Sequence, residues 1–225
     1  MEQFALPIAF ILLVLGVALK RFSATFGSLL KPPLTIQLVP VADRAKGRFA
    51  DSYRRELESL GFAPIGLYEV REMKGVVLSA FANSSQAMCA VVYRHPMAGV
   101  FADLCIMNQD DTSLTVTSAP AGGNLDQPPG RRKVFMPKAS LRQLYECAAR
   151  ERSGGPYKRL DASNFTRTFE AAYAHEMQWR KQRGGPTEAE VRREAHAMGI
   201  HSEKTIQKAT ASLRQQYSEP EQPVR

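Results

Sequence analysis

Residues 75–107 read GVVLSAFANSSQAMCAVVYRHPMAGVFADLCIM. Apolar, β-branched and aromatic residues dominate this stretch, and they are interrupted by turn sequences at Asn83-Ser84-Ser85 and between His95 and Gly99. Such runs, bounded by residues that favour turns, are typical of β-strands joined by hairpins. Because short connections leave consecutive strands antiparallel, this stretch predicts the centre of an antiparallel sheet.

The same pattern extends to both sides of this stretch. The longer strands are predicted at 64–72, 75–82, 86–94, 99–107 and 112–118, with shorter ones at 34–38 and 133–136. Both faces of the strand 99–107 are largely apolar, so we expect it to lie centrally in the sheet with both faces covered.

Helical patterns flank the predicted sheet. An apolar stripe predicts a helix at 43–60, and Ser140 to Gln143 forms a capping box that opens a second helix. Three more helices are predicted after residue 160, within 163–182, from the capping box at Thr187, and from Ser202. The predicted fold class is α+β, with five to seven antiparallel strands between helices at 34–160, a helical region at 161–217 and a tail at 218–225.

The amino terminus predicts a membrane anchor. Residues 4–19 read FALPIAFILLVLGVAL and carry no charge, and their apolar side chains favour insertion by about 3–7 kcal/mol. A cleaved signal peptide would have a basic start, which is absent here, and a buried core helix would have a polar face to meet water. We therefore predict a transmembrane helix within 1–22 and a tether at 23–33.

Basic residues set the predicted orientation. Residues 20–48 contain six Lys or Arg and one acidic residue, whereas no Lys or Arg precedes the apolar run. By the positive-inside rule, the domain after the anchor is predicted to lie in the cytoplasm.

A second basic stretch suggests an anionic partner. Residues 131–159 contain nine basic and two acidic residues in a chain of net charge +8. Anionic lipid or an acidic protein suits such a surface, although ordinary solvated side chains explain it equally well. The candidate contacts are Lys20, Arg21, Arg131, Arg132 and Lys133.

Sequence motifs for chemistry are weak. His175-Glu176 begins like the HExxH motif of zinc proteases, but Trp179 stands where the second histidine is required. Three cysteines without CxxC spacing argue against a disulfide framework or a zinc site. No catalytic residue, cofactor or metal ligand is therefore predicted.

The carboxyl-terminal helices carry a weak motif signal. Residues 195–209 resemble a helix-turn-helix, but one residue too many separates Gly199 from Ile206, and Lys208 takes a position that should be apolar. Residues 186–217 have a net charge of only +1, which is low for a nucleic-acid binder.

Together these patterns favour a non-enzymatic role. The predicted function is a membrane-anchored cytoplasmic scaffold or accessory subunit, with the membrane and a protein as partners. One alternative is a ligand-binding sheet domain or an enzyme with a dispersed site, which a deep polar pocket against the sheet would favour. The other is a membrane-tethered nucleic-acid binder acting through 187–217.

Overall fold

The computed structural model describes residues 33–96, 98–120, 122 and 124–218. The predicted anchor, with Lys20 and Arg21, lies outside these residues, as do most of the tether and most of the tail. Among the helices of the described part, none is both long and apolar enough to cross a membrane.

The described chain forms a seven-stranded sheet with helices on both faces. The strands are β1 (Leu38–Pro40), β2 (Ala63–Val70), β3 (Val77–Asn83), β4 (Met88–His95), β5 (Gly99–Met107), β6 (Ser113–Thr117) and β7 (Arg131–Phe135). The α-helices are α1 (Asp51–Ser59), α2 (Leu141–Glu151), α3 (Phe165–Gln182), α4 (Glu188–Ala197) and α5 (Glu203–Ser218). The α+β class is thus confirmed.

Strand order follows chain order from β1 to β7, and the strands from β2 to β6 are joined by short hairpin connections. Five of the six neighbouring pairs are antiparallel, but β7 runs parallel to β6. The prediction of a wholly antiparallel sheet is therefore wrong at this edge. Residues 118–130 form a long crossover instead of a hairpin, and a crossover of this length is what parallel neighbours need.

Two buried carboxylates on α4 hold this crossover in place. Glu194 accepts hydrogen bonds from the backbone N–H groups of Gly122 (2.6 Å) and Asn124 (3.2 Å), and Glu190 accepts one from the N–H of Asp126 (2.9 Å). Both carboxylates are almost fully buried. The loop is rich in Gly and Pro, and these bonds from a distant helix fix its path.

The helix starts follow their sequence signals, with one difference. The capping boxes at Ser140 and Thr187 are both present, which confirms the starts of α2 and α4. The helix predicted at 43–60 is divided into a 3₁₀ helix, Arg44–Ala50, and α1. Gly47 is buried there, and a Cβ on it would lie 3.3 Å from Leu67, so this segment packs tightly on β2.

Each face of the sheet has its own core. On one face, buried side chains such as Leu104 and Phe81 pack with Leu57 of α1 and Leu144 of α2. On the other face, Phe165 of α3 is fully buried, and its ring centroid lies 5.6 Å from that of Tyr68. Strand β5 is central and has both faces covered, as its apolar residues predicted.

The last two helices pack against each other through Val191, Ala195, Ile206 and Leu213. The turn before α4 allows α5 to approach the end of α3. Gly185 in that turn has φ +87°, and a Cβ there would lie 2.6 Å from the Tyr217 ring. Glycine is required both by the backbone conformation and by this contact.

Candidate functional site

A cavity of about 670 Å³ lies between the sheet and α3. Its floor is the face of β2–β7 that carries the Phe165 core, together with Ile36 before β1, and the crossover residues Gly122 and Leu125 contribute to its wall. Strands supply alternate side chains to one face of a sheet, so most of the strand side chains that face the cavity are two residues apart. The composition of those residues changes across the sheet.

One half of the cavity is mostly apolar, although Glu72, Lys74 and His95 also belong to its lining. Strands β2 and β4 and the segment before β1 supply its floor, and aromatic residues spaced one helical turn apart on α3 supply its roof. These side chains are Ile36, Val70, Cys89, Val91, Phe169 and Tyr173. Phe165, Phe169 and Tyr173 share one side of α3 and serve two purposes, since Phe165 seals the core while Phe169 and Tyr173 face the cavity.

The other half is polar and charged. Strands β5–β7 supply the floor and the last turns of α3 supply the roof, with the side chains Asp103, Thr115, Thr117, Lys133, Glu176 and Arg180. The strand register arranges these floor side chains in two rows across the sheet. Asp103 on β5 pairs with Thr117 on β6, and Thr115 on β6 pairs with Lys133 on β7. Charged groups from the sheet and the helix thus converge on one end of the cavity.

Asp103 is the central acid of the floor. Its Oδ1 is buried and has no hydrogen-bond partner among the described residues. Burial raises the pKa of this carboxyl, and Lys133 together with hydrogen bonds from Thr117 and Tyr93 offsets only part of the rise. A buried carboxyl with an unused oxygen is costly for the folded state unless something pairs with it.

Glu176 and Arg180 form an ion pair in the roof. Arg180 Nη2 lies 2.8 Å from Glu176 Oε1, one helical turn away, and the Arg180 side chain is only 5% exposed. Burial raises the pKa of Glu176, but Lys133 and Arg180 outweigh burial, and the pKa lies below its ordinary value. Glu176 therefore stays ionised, whereas Asp103 is shifted towards its protonated form.

The three described basic candidates point in different directions. Arg131, Arg132 and Lys133 all contribute to the cavity lining, and Arg131 also donates to Ser113 Oγ at 3.4 Å. The Arg132 guanidinium, however, lies 2.5 Å from Glu151 on α2, on the opposite side of the sheet. The predicted cluster on β7 is thus divided by strand alternation.

Two cysteines face each other across the floor. Cys89 on β4 pairs directly with Cys105 on β5, and both thiols are free. Burial raises the pKa of Cys105 to about 12 and raises that of Cys89 well above its ordinary value. These thiols stay protonated at neutral pH and are poor nucleophiles, because the thiolate is the reactive form.

No metal centre is formed by the described residues, in which no group of three His, Cys, Asp or Glu side chains is placed to hold an ion. Comparison of the chain with protein-family models, curated proteins and solved structures finds no significant match.

The sequence indicated Arg131 and Lys133 as contacts for an anion, but it did not indicate the acidic residues or Arg180, although two signals were present. Asp103 is the single charged residue in the strand 99–107, which is otherwise apolar. Glu176 and Arg180 continue the α3 face that begins with Phe169 and Tyr173, at helical spacing.

Proposed function

We propose that the domain binds an amphipathic small molecule in the cavity between the sheet and α3. The observation that carries this proposal is the division of one cavity into an apolar half and a charged half. An apolar body would lie on Val91 under Phe169 and Tyr173. A polar head would then lie between Asp103 and Lys133.

The size and composition of the cavity support this function. Ligand pockets commonly measure about 300–1,000 Å³ and combine apolar walls with a few convergent polar groups, and the cavity of about 670 Å³ falls within that range. Purely structural packing would fill such a volume with side chains. The unpartnered Oδ1 of Asp103 supports the same conclusion, since a ligand can satisfy it.

The membrane-anchored scaffold stays a separate proposal. It rests on the apolar run at 4–19 and the charge of +8, and it is compatible with a ligand-binding domain. Nucleic-acid binding through 187–217 is less favoured, because the basic residues of α4 have acidic partners. Arg192 pairs with Glu188 and Glu203, and Arg193 pairs with Asp126.

The test is to fill the cavity. Thr115 lies on its floor, so Thr115→Trp should abolish binding of a soluble neutral probe, phenylbutanol, measured by calorimetry with the full-length chain. The control is Val100→Trp, because Val100 is 41% exposed and does not line the cavity. Near-ultraviolet dichroism would verify that both variants fold. Equal binding by both variants, or no binding of any phenylbutyl probe, would refute the proposal.

A further inference from the structure

The charged end of the cavity has unused hydrogen-bond donors. Among the described residues, no acidic group lies within ion-pair distance of the Lys133 ammonium, and its side chain makes no hydrogen bond. Arg180 is almost fully buried, yet its guanidinium makes a single described hydrogen bond, to Glu176 at 2.8 Å. An ammonium offers three donors and a guanidinium five, so most of this capacity is unused by those residues.

The balance of charge at this end favours an anion. Arg131, Lys133 and Arg180 face the cavity against the carboxyls of Asp103 and Glu176. Glu176 is already paired with Arg180. Even with both acids ionised, the cations are in excess, and protonation of Asp103 increases that excess.

We propose that the ligand is a carboxylate with an apolar body, held by Lys133 through its anionic head and by Asp103 through a shared proton. This inference rests on the proposed ligand-binding function and names the ligand class for the same cavity. The head accepts hydrogen bonds from Lys133 Nζ. One proton then lies between an Asp103 oxygen and a ligand oxygen, which provides the partner that Oδ1 lacks.

A carboxylate suits this end better than the other head groups. A phosphate monoester carries nearly two negative charges close to Glu176, whereas a carboxylate carries one. An amine would place a cation beside Lys133 and Arg131. An alcohol can hydrogen-bond to Asp103 but gains little from the ammonium, so it should bind more weakly than the acid.

Several groups contribute to the protonation of Asp103. The titratable and charged side chains that act on it from the packed elements are Cys89 and Tyr93 on β4, Cys105 on β5, Lys133 on β7 and Glu176 on α3. Lys133 favours the ionised form, while burial and Glu176 favour the protonated form. Ligand affinity should therefore fall as rising pH removes the proton that Asp103 shares with the head.

The experiment compares four phenylbutyl compounds by calorimetry on the full-length chain: the acid, the alcohol, the amine and the phosphate. We expect the acid to bind most tightly. Lys133→Met should weaken acid binding by about tenfold or more, the loss expected for a charge-assisted hydrogen bond, while alcohol binding should change little. Lys208→Met is the control, because Lys208 is exposed on α5.

The second arm tests the shared proton. Acid binding should weaken in the natural chain as pH rises through the raised pKa of Asp103. Asp103→Asn, whose amide donates a hydrogen bond at every pH, should bind the acid with a flatter pH profile. Binding of the alcohol or phosphate as tightly as the acid, or an unchanged profile in Asp103→Asn, would overturn the carboxylate assignment while leaving the binding function intact. Failure of all four compounds to bind would refute both the carboxylate assignment and the ligand-binding function.

Discussion

The bonds between Glu194 and the crossover explain how β7 reaches its parallel position, and they can be tested by truncation. Glu194 is 1% exposed and accepts three hydrogen bonds, from the N–H groups of Gly122 and Asn124 and from the side-chain amide of Asn124. Glu194→Ala removes the acceptor and leaves three donors without it. The variant should therefore loosen the crossover and the strand that follows it.

The expected cost follows from these contacts. A hydrogen bond to a charged group contributes about 1.5–3 kcal/mol, and an unpaired buried donor costs about 1–3 kcal/mol. Gly122 and Asn124 are only partly buried, so water can replace some of the lost bonding. We expect Glu194→Ala to lower the free energy of unfolding by about 2–4 kcal/mol.

Glu188 provides a matched control on the same helix. Its side chain is 45% exposed and pairs with Arg192, so Glu188→Ala should cost less than about 1 kcal/mol. Urea denaturation measures both free energies, and amide hydrogen exchange should show faster exchange at Arg131–Phe135 in Glu194→Ala alone. Equal costs for the two variants, with no change of exchange in β7, would refute the proposed role of Glu194.

Three further predictions concern the core, the pH dependence and the membrane. Phe165→Ala should lower the free energy of unfolding, measured by urea denaturation, by about 3–5 kcal/mol, because Phe165 on α3 is fully buried against the sheet. A decrease below about 1 kcal/mol would contradict that packing. Burial raises the pKa of Glu190, but hydrogen bonds from Thr187 and Asp126 and the charge of Arg183 outweigh burial, so the pKa lies below the ordinary value for a glutamate. The ionised Glu190 therefore stabilises the fold above pH 4.5, and this contribution disappears as pH falls through the lowered pKa. Glu190→Gln should therefore make the free energy of unfolding depend less on acid pH. An unchanged dependence of that free energy on pH would refute the contribution of Glu190. The intact chain should stay with membranes after carbonate washing. Alanine at Arg131, Arg132 and Lys133 should weaken the salt-sensitive binding of the protein to anionic vesicles. Equal binding to neutral and anionic vesicles would refute the lipid interpretation.

Local sequence signals predicted most of the sheet and the helix starts. The turn sequences at Asn83 and His95 are close to the observed ends of β3 and β4, and the Ser140 and Thr187 capping boxes begin helices as expected. These features depend on residues within a few positions of each other. Their physical causes, strand alternation and capping of free N–H groups, can therefore be recognised in the chain itself.

The direction of β7 and the cavity could not be predicted in the same way. The path of residues 118–130 depends on Glu190 and Glu194, which lie more than 60 positions away. The charged end joins Asp103 on β5 to Glu176 on α3 across a similar distance in sequence. Such groupings arise only when the sheet and α3 pack, and no local pattern specifies that packing.

A crystal structure of the full-length chain with phenylbutyrate bound would test the central claim most directly. We predict density for the ring beneath Phe169 and Tyr173, and for the carboxylate within hydrogen-bond distance of Lys133 Nζ and an Asp103 oxygen. A ligand bound elsewhere on the protein, with the space between the sheet and α3 left empty, would contradict it.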